Sequence, residues 1–281
     1  MKYIDIHCHL DFPDYDFDRG EILTEMKKQG IGAITIGTDL ESSKKAVELA
    51  EANENIWACI GIHPEIFLEE KSENNIEGTL LELENLIKNP KVVGIGECGL
   101  EYFVMKKAET GKRQKELFEA QIKLALKYDK PLMLHIRSSS KNNFDAYEEA
   151  LEILGNYKKD FGEKLRGNVH FFAADTFIAQ KFLDFGFSMS FTGVVTFLPS
   201  RSSAQVGTHD YDEVVKYLPL DSIMSETDAP FVAPVPFRGQ RNSPVYVSEI
   251  VKKMAEIKGE TIEKMSAIIL ENARRLFGIP S

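Results

Sequence analysis

Short apolar segments alternate with amphipathic segments along the whole chain. Eight of the apolar segments are rich in β-branched and aromatic residues and do not alternate strictly between polar and apolar positions. This pattern is typical of strands buried on both faces of a parallel sheet. The predicted strands are Tyr3–His7, Ala33–Gly37, Trp57–Gly61, Val92–Gly96, Leu132–Ile136, Asn168–Phe172, Phe187–Phe191 and Ser222–Glu226.

The amphipathic segments between and after these strands predict helices. They are Asp18–Gln29, Ser42–Ala52, Thr79–Lys88, Lys112–Tyr128, Phe144–Leu154, Ile178–Phe185, Tyr211–Tyr217, Pro244–Lys258 and Ile262–Leu276. Eight strands alternating with helices over about 250 residues predict an α/β fold, a (β/α)₈ TIM barrel. We expect one domain over residues 1–281, because no linker divides the chain. An open, doubly wound sheet is the alternative, although no GxGxxG motif follows the first strand.

Polar residues with metal-binding side chains cluster at the predicted strand ends. Barrel enzymes carry their chemistry at the C-terminal ends of the strands. Five of the six histidines lie there, and only His209 lies in a polar loop. These five are His7 and His9 at strand 1, His63 after strand 3, His135 in strand 5 and His170 in strand 6. Glu97 and Asp228 follow strands 4 and 8.

The spacing of His7 and His9 lets both side chains face the barrel axis, with Cys8 turned away, because residues two apart in a strand share a face. Imidazole and carboxylate ligands suit zinc, manganese or iron, and carboxylate-rich sites also accept magnesium. The candidate ligands are His7, His9, Glu97, His135, His170 and Asp228. Six ligands exceed the need of one four-coordinate ion, which indicates a binuclear site of the kind that cleaves phosphate esters.

Arginine and aromatic residues near the same rim are candidates for substrate binding. Guanidinium groups suit bidentate capture of phosphate oxygens. The candidate arginines are Arg137, Arg201, Arg238 and Arg241. Aromatic rings there could stack on a base, with core packing as the alternative role. The rings in question belong to Phe12, Tyr102, Phe103 and Phe171.

Composition narrows the class of protein. The 281 residues include 34 basic and 44 acidic side chains, a net charge of −10. This charge argues against a broad basic surface that coats nucleic acid, but permits an enzyme that holds one strand end. Because no apolar run reaches about 18 residues and no secretory signal is visible, we expect a cytoplasmic protein without a membrane span. The cysteines Cys8, Cys59 and Cys98 are expected to be buried packing residues, and Asp5 and Asp11 to support the site or cap local structure.

The motifs at these positions resemble a known family. DIHCHLD, IGIHPE, GIGECGLEY, LMLHIRSS, GNVHFF, SFTG, ETDAPFVAPVPFRGQRNSP and ENARRLFG are similar, in order and spacing, to the TatD family of metal-dependent hydrolases. The resemblance runs from about Ile4 to Phe277. It implies an amidohydrolase-type barrel with metal-dependent deoxyribonuclease activity. Family members often act as 3′→5′ exonucleases on single-stranded DNA and sometimes on RNA.

The resemblance also implies roles for individual residues. His7, His9 and Asp228 would bind one divalent ion (magnesium, manganese or zinc). Glu97 would bridge to a second ion. His135 and His170 would complete that second site. His63 would face the substrate phosphate, and Asp228 would also take the proton of the attacking water. Beyond what the resemblance implies, we expect Arg238 and Arg137 to help His63 hold the phosphate. The expected partner is the end of a nucleic acid strand, with no obligate protein partner.

This chain departs from the family pattern at three places. Glu101 replaces a frequent aspartate, FFAAD follows His170, and the stretch Leu198–Asp212 is long. Loops at this rim select the substrate, so two other functions stay open. One is a small-molecule amidase, lactonase or phosphotriesterase, although such relatives carry a carbamylated lysine where Glu97 stands. The other is a non-catalytic barrel that binds metal or docks a partner.

Overall fold

Eight parallel strands pair in chain order from β1 to β8. The computed structural model describes residues 1–68, 76–140, 143–197 and 211–280. The strands are β1 Tyr3–Cys8, β2 Ile31–Ile36, β3 Ile56–Ile60, β4 Val92–Glu101, β5 Leu132–Arg137, β6 Gly167–Val169, β7 Phe187–Phe191 and β8 Ile223–Ser225. Nearly every strand residue is buried, as expected for strands covered on both faces. His135 and Arg137, near the end of β5, are the more exposed members.

Contacts between the two outer strands turn this sheet into a barrel. Cys8 forms a parallel bridge with Ala229, just beyond β8. The amide of Asp228 donates to the carbonyl of His7 (2.9 Å), and the amide of His9 donates to that of Ala229 (2.8 Å). The TIM barrel prediction is confirmed. The open-sheet alternative is wrong, because the first and last strands meet.

Helices cover the outside of the barrel. They are α1 Arg19–Gln29, α2 Leu40–Ala52, α3 Ile76–Leu86, α4 Lys107–Lys127, α5 Asp145–Phe161, α6 Thr176–Asp184, α7 Tyr211–Tyr217, α8 Val247–Lys258 and α9 Ile262–Phe277. The last helix spans the closing seam. The Asn272 amide of α9 donates to the carbonyl of Ile223 (2.9 Å), and the Ser266 hydroxyl donates to the carbonyl of Lys2. Among the described residues, no helix combines the length and apolar character needed to cross a bilayer.

Element boundaries differ from the predicted ones at functionally relevant places. β4 continues past Gly96 to Glu101, so Glu97 lies inside a strand rather than after it. β3 ends at Ile60, which leaves His63 in the following loop. β6 ends at Val169, so His170 is the first residue beyond it. These differences arise because strand length depends on pairing with neighbouring strands, which the local pattern does not contain.

Candidate metal centre

The two histidines of the HxH motif lie on the same side of β1. His7 is fully buried in the strand, and His9 follows its end. Their ring centroids are 5.1 Å apart. Cys8, between them, points to the other side, where its thiol donates to the carbonyl of Ile34. The alternation of an extended strand therefore directs both imidazoles toward the barrel mouth.

Glu97 supplies a carboxylate to these histidines from β4. Its Oε2 lies 3.3 Å from Nε2 of His7 and 3.8 Å from Nε2 of His9. The backbone before it passes close to β5: at Gly96 (φ +146°), a Cβ atom would lie 2.2 Å from the carbonyl oxygen of Met133. Only glycine fits there, and this close approach places Glu97 at the centre of the barrel end.

The other oxygen of Glu97 faces a second set of histidines. Oε1 lies 2.7 Å from Nδ1 of His135. The same oxygen lies 3.4 Å from Nε2 of His170 and 3.5 Å from Nε2 of His63. One carboxylate therefore has a separate group of imidazoles at each of its two oxygens.

Asp228 approaches the first group from the end of β8. Its Oδ1 lies 3.6 Å from Nε2 of His9 and 3.8 Å from Nε2 of His7. The residue has a positive φ of 55°. The preceding Thr227 is held by Asp5, which accepts from the Thr227 amide at 2.8 Å and from its hydroxyl at 2.5 Å. Asp5 thus positions the segment that carries Asp228, the supporting role that the sequence left open.

Three potential ligand groups lie within this cluster, each with donor atoms within 4.8 Å of one another. They are His7, His9 and Glu97; His63, Glu97 and His135; and His7, His170 and Glu226. Together with Asp228, whose Oδ1 lies near His9 and His7, these groups include all six predicted ligands, and two of the three groups share Glu97. The structure also places His63 beside Glu97 and His135. This position is closer to the second set of histidines than a residue that only faces the substrate would have to lie.

Two further carboxylates lie behind the second set of histidines, and sequence reasoning missed their function. Oε2 of Glu101 lies 3.1 Å from Nε2 of His135. Oε1 of Glu226 lies 3.0 Å from Nδ1 of His170. Both carboxylates are fully buried. For Glu226 the available signal was spacing, because it lies two residues before Asp228. For Glu101 the only signal was its departure from a family motif.

Each of these carboxylates lies beside one ring nitrogen of its histidine, and the other ring nitrogen is directed at Glu97. With Nε2 of His135 facing Glu101, its Nδ1 faces Glu97. In His170, Nδ1 faces Glu226 and Nε2 faces Glu97. Buried carboxylates behind ligating histidines commonly fix the tautomer and ring orientation in metal sites.

Burial and mutual interaction strongly perturb the ionisation of these groups. Burial and the neighbouring His170 lower the pKa of His7 to about 3. Burial also opposes the charged form of His9, but Asp228 and Glu97 outweigh it and raise the pKa of His9 to about 9. Burial would raise the pKa of Glu97, yet the surrounding histidines hold it well below its usual range. The centre therefore combines an ionised carboxylate with at least one neutral imidazole.

The donor set fits a divalent metal. Both ring nitrogens of His7 are buried without a hydrogen-bond partner among the described residues. The His7 ring also stacks on the His170 ring, with centroids 3.5 Å apart. Buried polar atoms of this kind are costly unless they are satisfied, and a cation accepts several imidazole and carboxylate donors at once.

A cavity of about 850 Å³ opens above the cluster. Its lining includes His9, His63, Glu97, Arg137 and Asp228. Small-molecule pockets typically range from about 300 to 1,000 Å³, so this cavity accommodates a substrate larger than a simple ester.

The predicted arginines occupy different environments. Arg137 lines the cavity and lies 3.8 Å from Glu101. The exposed Arg238 has its guanidinium 4.2 Å from the centre of the Phe197 ring. Arg241 instead forms an ion pair with Asp18, and a role for it in substrate binding stays a prediction. Arg201, His209 and most of the stretch 198–212 lie outside the described residues.

The remaining candidates are placed as follows. Cys8, Cys59 and Cys98 are fully buried and unpaired, consistent with packing. Asp11 accepts from the Thr35 hydroxyl at 3.0 Å. Tyr102 is buried, and its hydroxyl donates to Glu149 at 2.8 Å, which removes it from the rim. Phe12, Phe103 and Phe171 line the cavity.

Comparisons with known proteins identify relatives over nearly the whole chain. A model of the family described as TatD related DNase matches residues 4–278. The Bacillus subtilis protein named uncharacterized metal-dependent hydrolase YabD is 35% identical, and the match covers 98% of each chain. The Escherichia coli K12 protein of the same description, YcfH, is 33% identical, with 99% of this chain and 97% of the relative covered.

Solved structures agree with this result. The crystal structure of YjjV, a TatD homologue from Escherichia coli K12, has a TM-score of 0.84 at 28% identity and covers 99% of both chains. A TatD family hydrolase from Entamoeba histolytica has a TM-score of 0.80 at 22% identity, which shows a shared fold. That match covers 100% of this chain and 99% of the other.

Proposed function

Since the chain belongs to the TatD family of metal-dependent hydrolases, we propose that it cleaves phosphodiester bonds as a 3′→5′ exonuclease on single-stranded DNA, with RNA as the other candidate polymer. The observation that carries this proposal is that the two carboxylate oxygens of Glu97 face separate groups of histidines. A carboxylate in this position can bridge two cations, and paired cations are typical of enzymes that split phosphate esters.

Two metal sites follow from the side chains present. His7, His9 and Asp228 would hold the first ion. His135 and His170 would hold the second, with Glu97 shared between them. When bound, the two divalent ions would lower the pKa of a water molecule and offset the negative charge that develops on the phosphate oxygens.

The chain's own residues perform the remaining steps. Asp228 is partly accessible from the cavity, with 13% of its side chain exposed, so its carboxylate is placed to accept the proton of the attacking water. His63 and Arg137 line the same cavity and would bind the phosphate oxygens. Arg238 would contact the substrate strand farther out on the rim.

A phosphodiester substrate requires positive charge at the site itself. The chain has a net charge of −10, so attraction of a polyanion has to be local. Two divalent ions and Arg137 at one cavity would supply that local positive charge. Among the described cavity-lining residues there is no lysine, which disfavours the carbamylated-lysine sites of small-molecule amidohydrolases.

The test is digestion of end-labelled single-stranded DNA by chelator-stripped protein, with magnesium, manganese or zinc added back. We expect a metal-dependent ladder of single-nucleotide steps, and labels at the 5′ or 3′ end give the polarity. Asp228→Asn should lower turnover by about two orders of magnitude or more, the usual range for loss of a general base. The exposed Asp160→Asn is the matched control and should retain full activity.

Protein that binds two ions but cleaves neither DNA nor RNA would refute the proposal. A hydrolase panel of lactones, amides and phosphotriesters would then be the next assay. Unchanged cleavage by Asp228→Asn, with its metal content verified, would refute the assigned role of that carboxylate.

A further inference from the structure

Two phenylalanine rings at the cavity mouth are unusually exposed for large apolar side chains. Phe231 is 50% exposed and Phe103 is 54% exposed, and both line the cavity above the candidate metal centre. Exposed aromatic rings beside a polar site are frequently used in ligand binding. Phe17, by comparison, is 100% exposed but does not belong to the cavity lining.

Phe231 belongs to an aromatic group beside the first histidine pair. Phe12 stacks on His9, with ring centroids 4.5 Å apart and an interplanar angle of 24°. Phe231 packs edge-to-face against Phe12 at 6.3 Å, and its ring lies at the same distance from His9. Phe12 thus supports the Phe231 ring at one side, while half of the Phe231 surface stays exposed beside the cavity that it lines. We name Phe231 and Phe12 the β8–β1 platform, because they follow those strands.

Phe103 belongs to a second group on β4 and β5. The Arg137 guanidinium lies 4.2 Å from the centre of the Phe103 ring. Arg137 is in turn 3.8 Å from Glu101, the carboxylate behind His135. Half of the Arg137 side chain is exposed (51%). We name Phe103 and Arg137 the β4–β5 platform. A stacked arginine and phenylalanine present a flat, cationic surface to a base, and the N–H edge of the same guanidinium can still donate to phosphate oxygens.

The order of strands places the two platforms opposite each other. The barrel is closed with β1 to β8 in sequence around the ring, so the β8–β1 seam and the β4–β5 pair are separated by half the circumference. Glu97 lies between them. Its Oε2 is 3.8 Å from His9, on one side, and its Oε1 is 2.7 Å from His135, on the other. A chain that crosses the cavity from one platform to the other passes over the candidate metal centre.

We propose that each platform stacks on one unpaired base, so that the bases on either side of the scissile phosphate are bound by different platforms. This inference rests on the proposed function and names the residues that select its substrate. Stacking tolerates every base, because each has a π-face, so the platforms select unpaired strands rather than a sequence. In a duplex both faces of an internal base are already covered by its neighbours, so a duplex cannot occupy the two platforms without unstacking.

The experiment combines enzyme variants with substrates that lack single bases. Phe231→Ala and Phe103→Ala are assayed on a short oligothymidylate. They are also assayed on two derivatives with an abasic tetrahydrofuran residue, one at the 3′-terminal position and one at the penultimate position. On the intact strand we expect each variant to lose roughly 5- to 150-fold in kcat/KM, the range for loss of one base–aromatic stack. For each variant, one of the two derivatives lacks the base that the removed ring would stack on, and on that derivative the variant should be no slower than the wild type. The derivative concerned should differ between the two variants.

Control variants separate stacking from general damage. Phe17→Ala removes an exposed ring outside the cavity and should leave all three substrates unaffected. Phe231→Leu keeps an apolar side chain without the flat ring and should recover only part of the lost kcat/KM. Unchanged melting temperatures in these variants would show that the fold is retained, as expected for rings that are half exposed.

The outcomes distinguish this inference from the proposed function. If the variants lose kcat/KM equally on intact and abasic strands, or lose none, the stacking role of the platforms is refuted. DNA cleavage by the wild type would still support the proposed nuclease activity. If the wild type cleaves no DNA, fluorescence anisotropy can still measure the affinity of the wild type and the variants for the same oligonucleotides, and this affinity tests the platforms. Affinity that depends on both the ring and the matching base would support the platforms, and absence of that coupling would overturn them.

Discussion

Replacing Glu101 by glutamine tests whether a carboxylate behind a histidine controls the second metal site. Oε1 of Glu101 accepts from the amides of Phe103 (2.6 Å) and Val104 (2.9 Å), and its Oε2 faces Nε2 of His135 at 3.1 Å. Burial opposes ionisation, but His135 and the Val104 amide outweigh it and hold the pKa of Glu101 below its usual value. At neutral pH the carboxylate therefore accepts the Nε2 proton of His135.

Glutamine keeps one acceptor but replaces the other with a donor. Its carbonyl oxygen would stay with the two backbone amides, so its NH₂ group would face His135. The ring must then accept at Nε2 and carry its proton on Nδ1. That nitrogen faces Glu97 at 2.7 Å and is the one available to a metal. Loss of such a supporting partner typically weakens metal binding about 10- to 100-fold.

Two measurements check this prediction. Calorimetric titration of chelator-stripped Glu101→Gln with manganese or zinc should show one of two binding events weakened about 10- to 100-fold. Burial opposes the charged form of His135, but Glu101 and Glu97 outweigh it and raise the pKa of His135 to about 10. Nitrogen-15 shifts of this imidazole in metal-free protein near neutral pH should therefore show both nitrogens protonated in the wild type and a proton on Nδ1 alone in the variant. Glu109→Gln, an exposed glutamate at the start of α4, is the matched control. Two binding events of wild-type affinity, with the protonation of His135 unchanged, would refute the reasoning.

Three further predictions concern stability. Gly96→Ala should lower the free energy of unfolding by about 3 kcal/mol or more in urea titrations, because its Cβ would lie 2.2 Å from the Met133 carbonyl oxygen; Gly239→Ala, with positive φ but open space, should cost less. Burial opposes ionisation of Glu149, but Lys107 and other partners outweigh it and lower the pKa of Glu149 to about 2. The contribution of Glu149 to stability is therefore present above pH ~4.5 and lost as the pH falls toward 2, so the stability difference between the wild type and Glu149→Gln should shrink over that range. Saturation with a divalent metal at 100 times its Kd should stabilise the stripped protein by about 2.7 kcal/mol for each of the two sites, and an unchanged melting temperature would contradict a native metal site.

Local sequence patterns were sufficient for the fold and for the first ligand pair. Alternating strands and helices predicted the barrel, which the structure and the family match confirm. The shared face of His7 and His9 follows from the period of an extended chain, which is a property of neighbouring residues alone. Strand ends were predicted less well, because β4 extends to Glu101 through pairing with β5.

Long-range contacts decided the finer arrangement of the site. Arg241 and Asp18 are 223 positions apart in the sequence, yet the fold brings them together in an ion pair that no local pattern indicates. The stacking of Phe103 under Arg137 depends on the loop after β4 and the end of β5. Loop conformation and side-chain pairing of this kind depend on strands brought together by barrel closure.

The sequence by itself determined the barrel, the family and the set of candidate ligands, because periodicity, spacing and motifs are properties of the chain. Only the tertiary structure decided how those ligands divide. The two oxygens of Glu97 face different histidines because the close approach of Gly96 to β5 brings Glu97 to the barrel centre. Likewise Glu101 and Glu226 became supports for His135 and His170 through contacts between different strands, whose relative register no local pattern encodes.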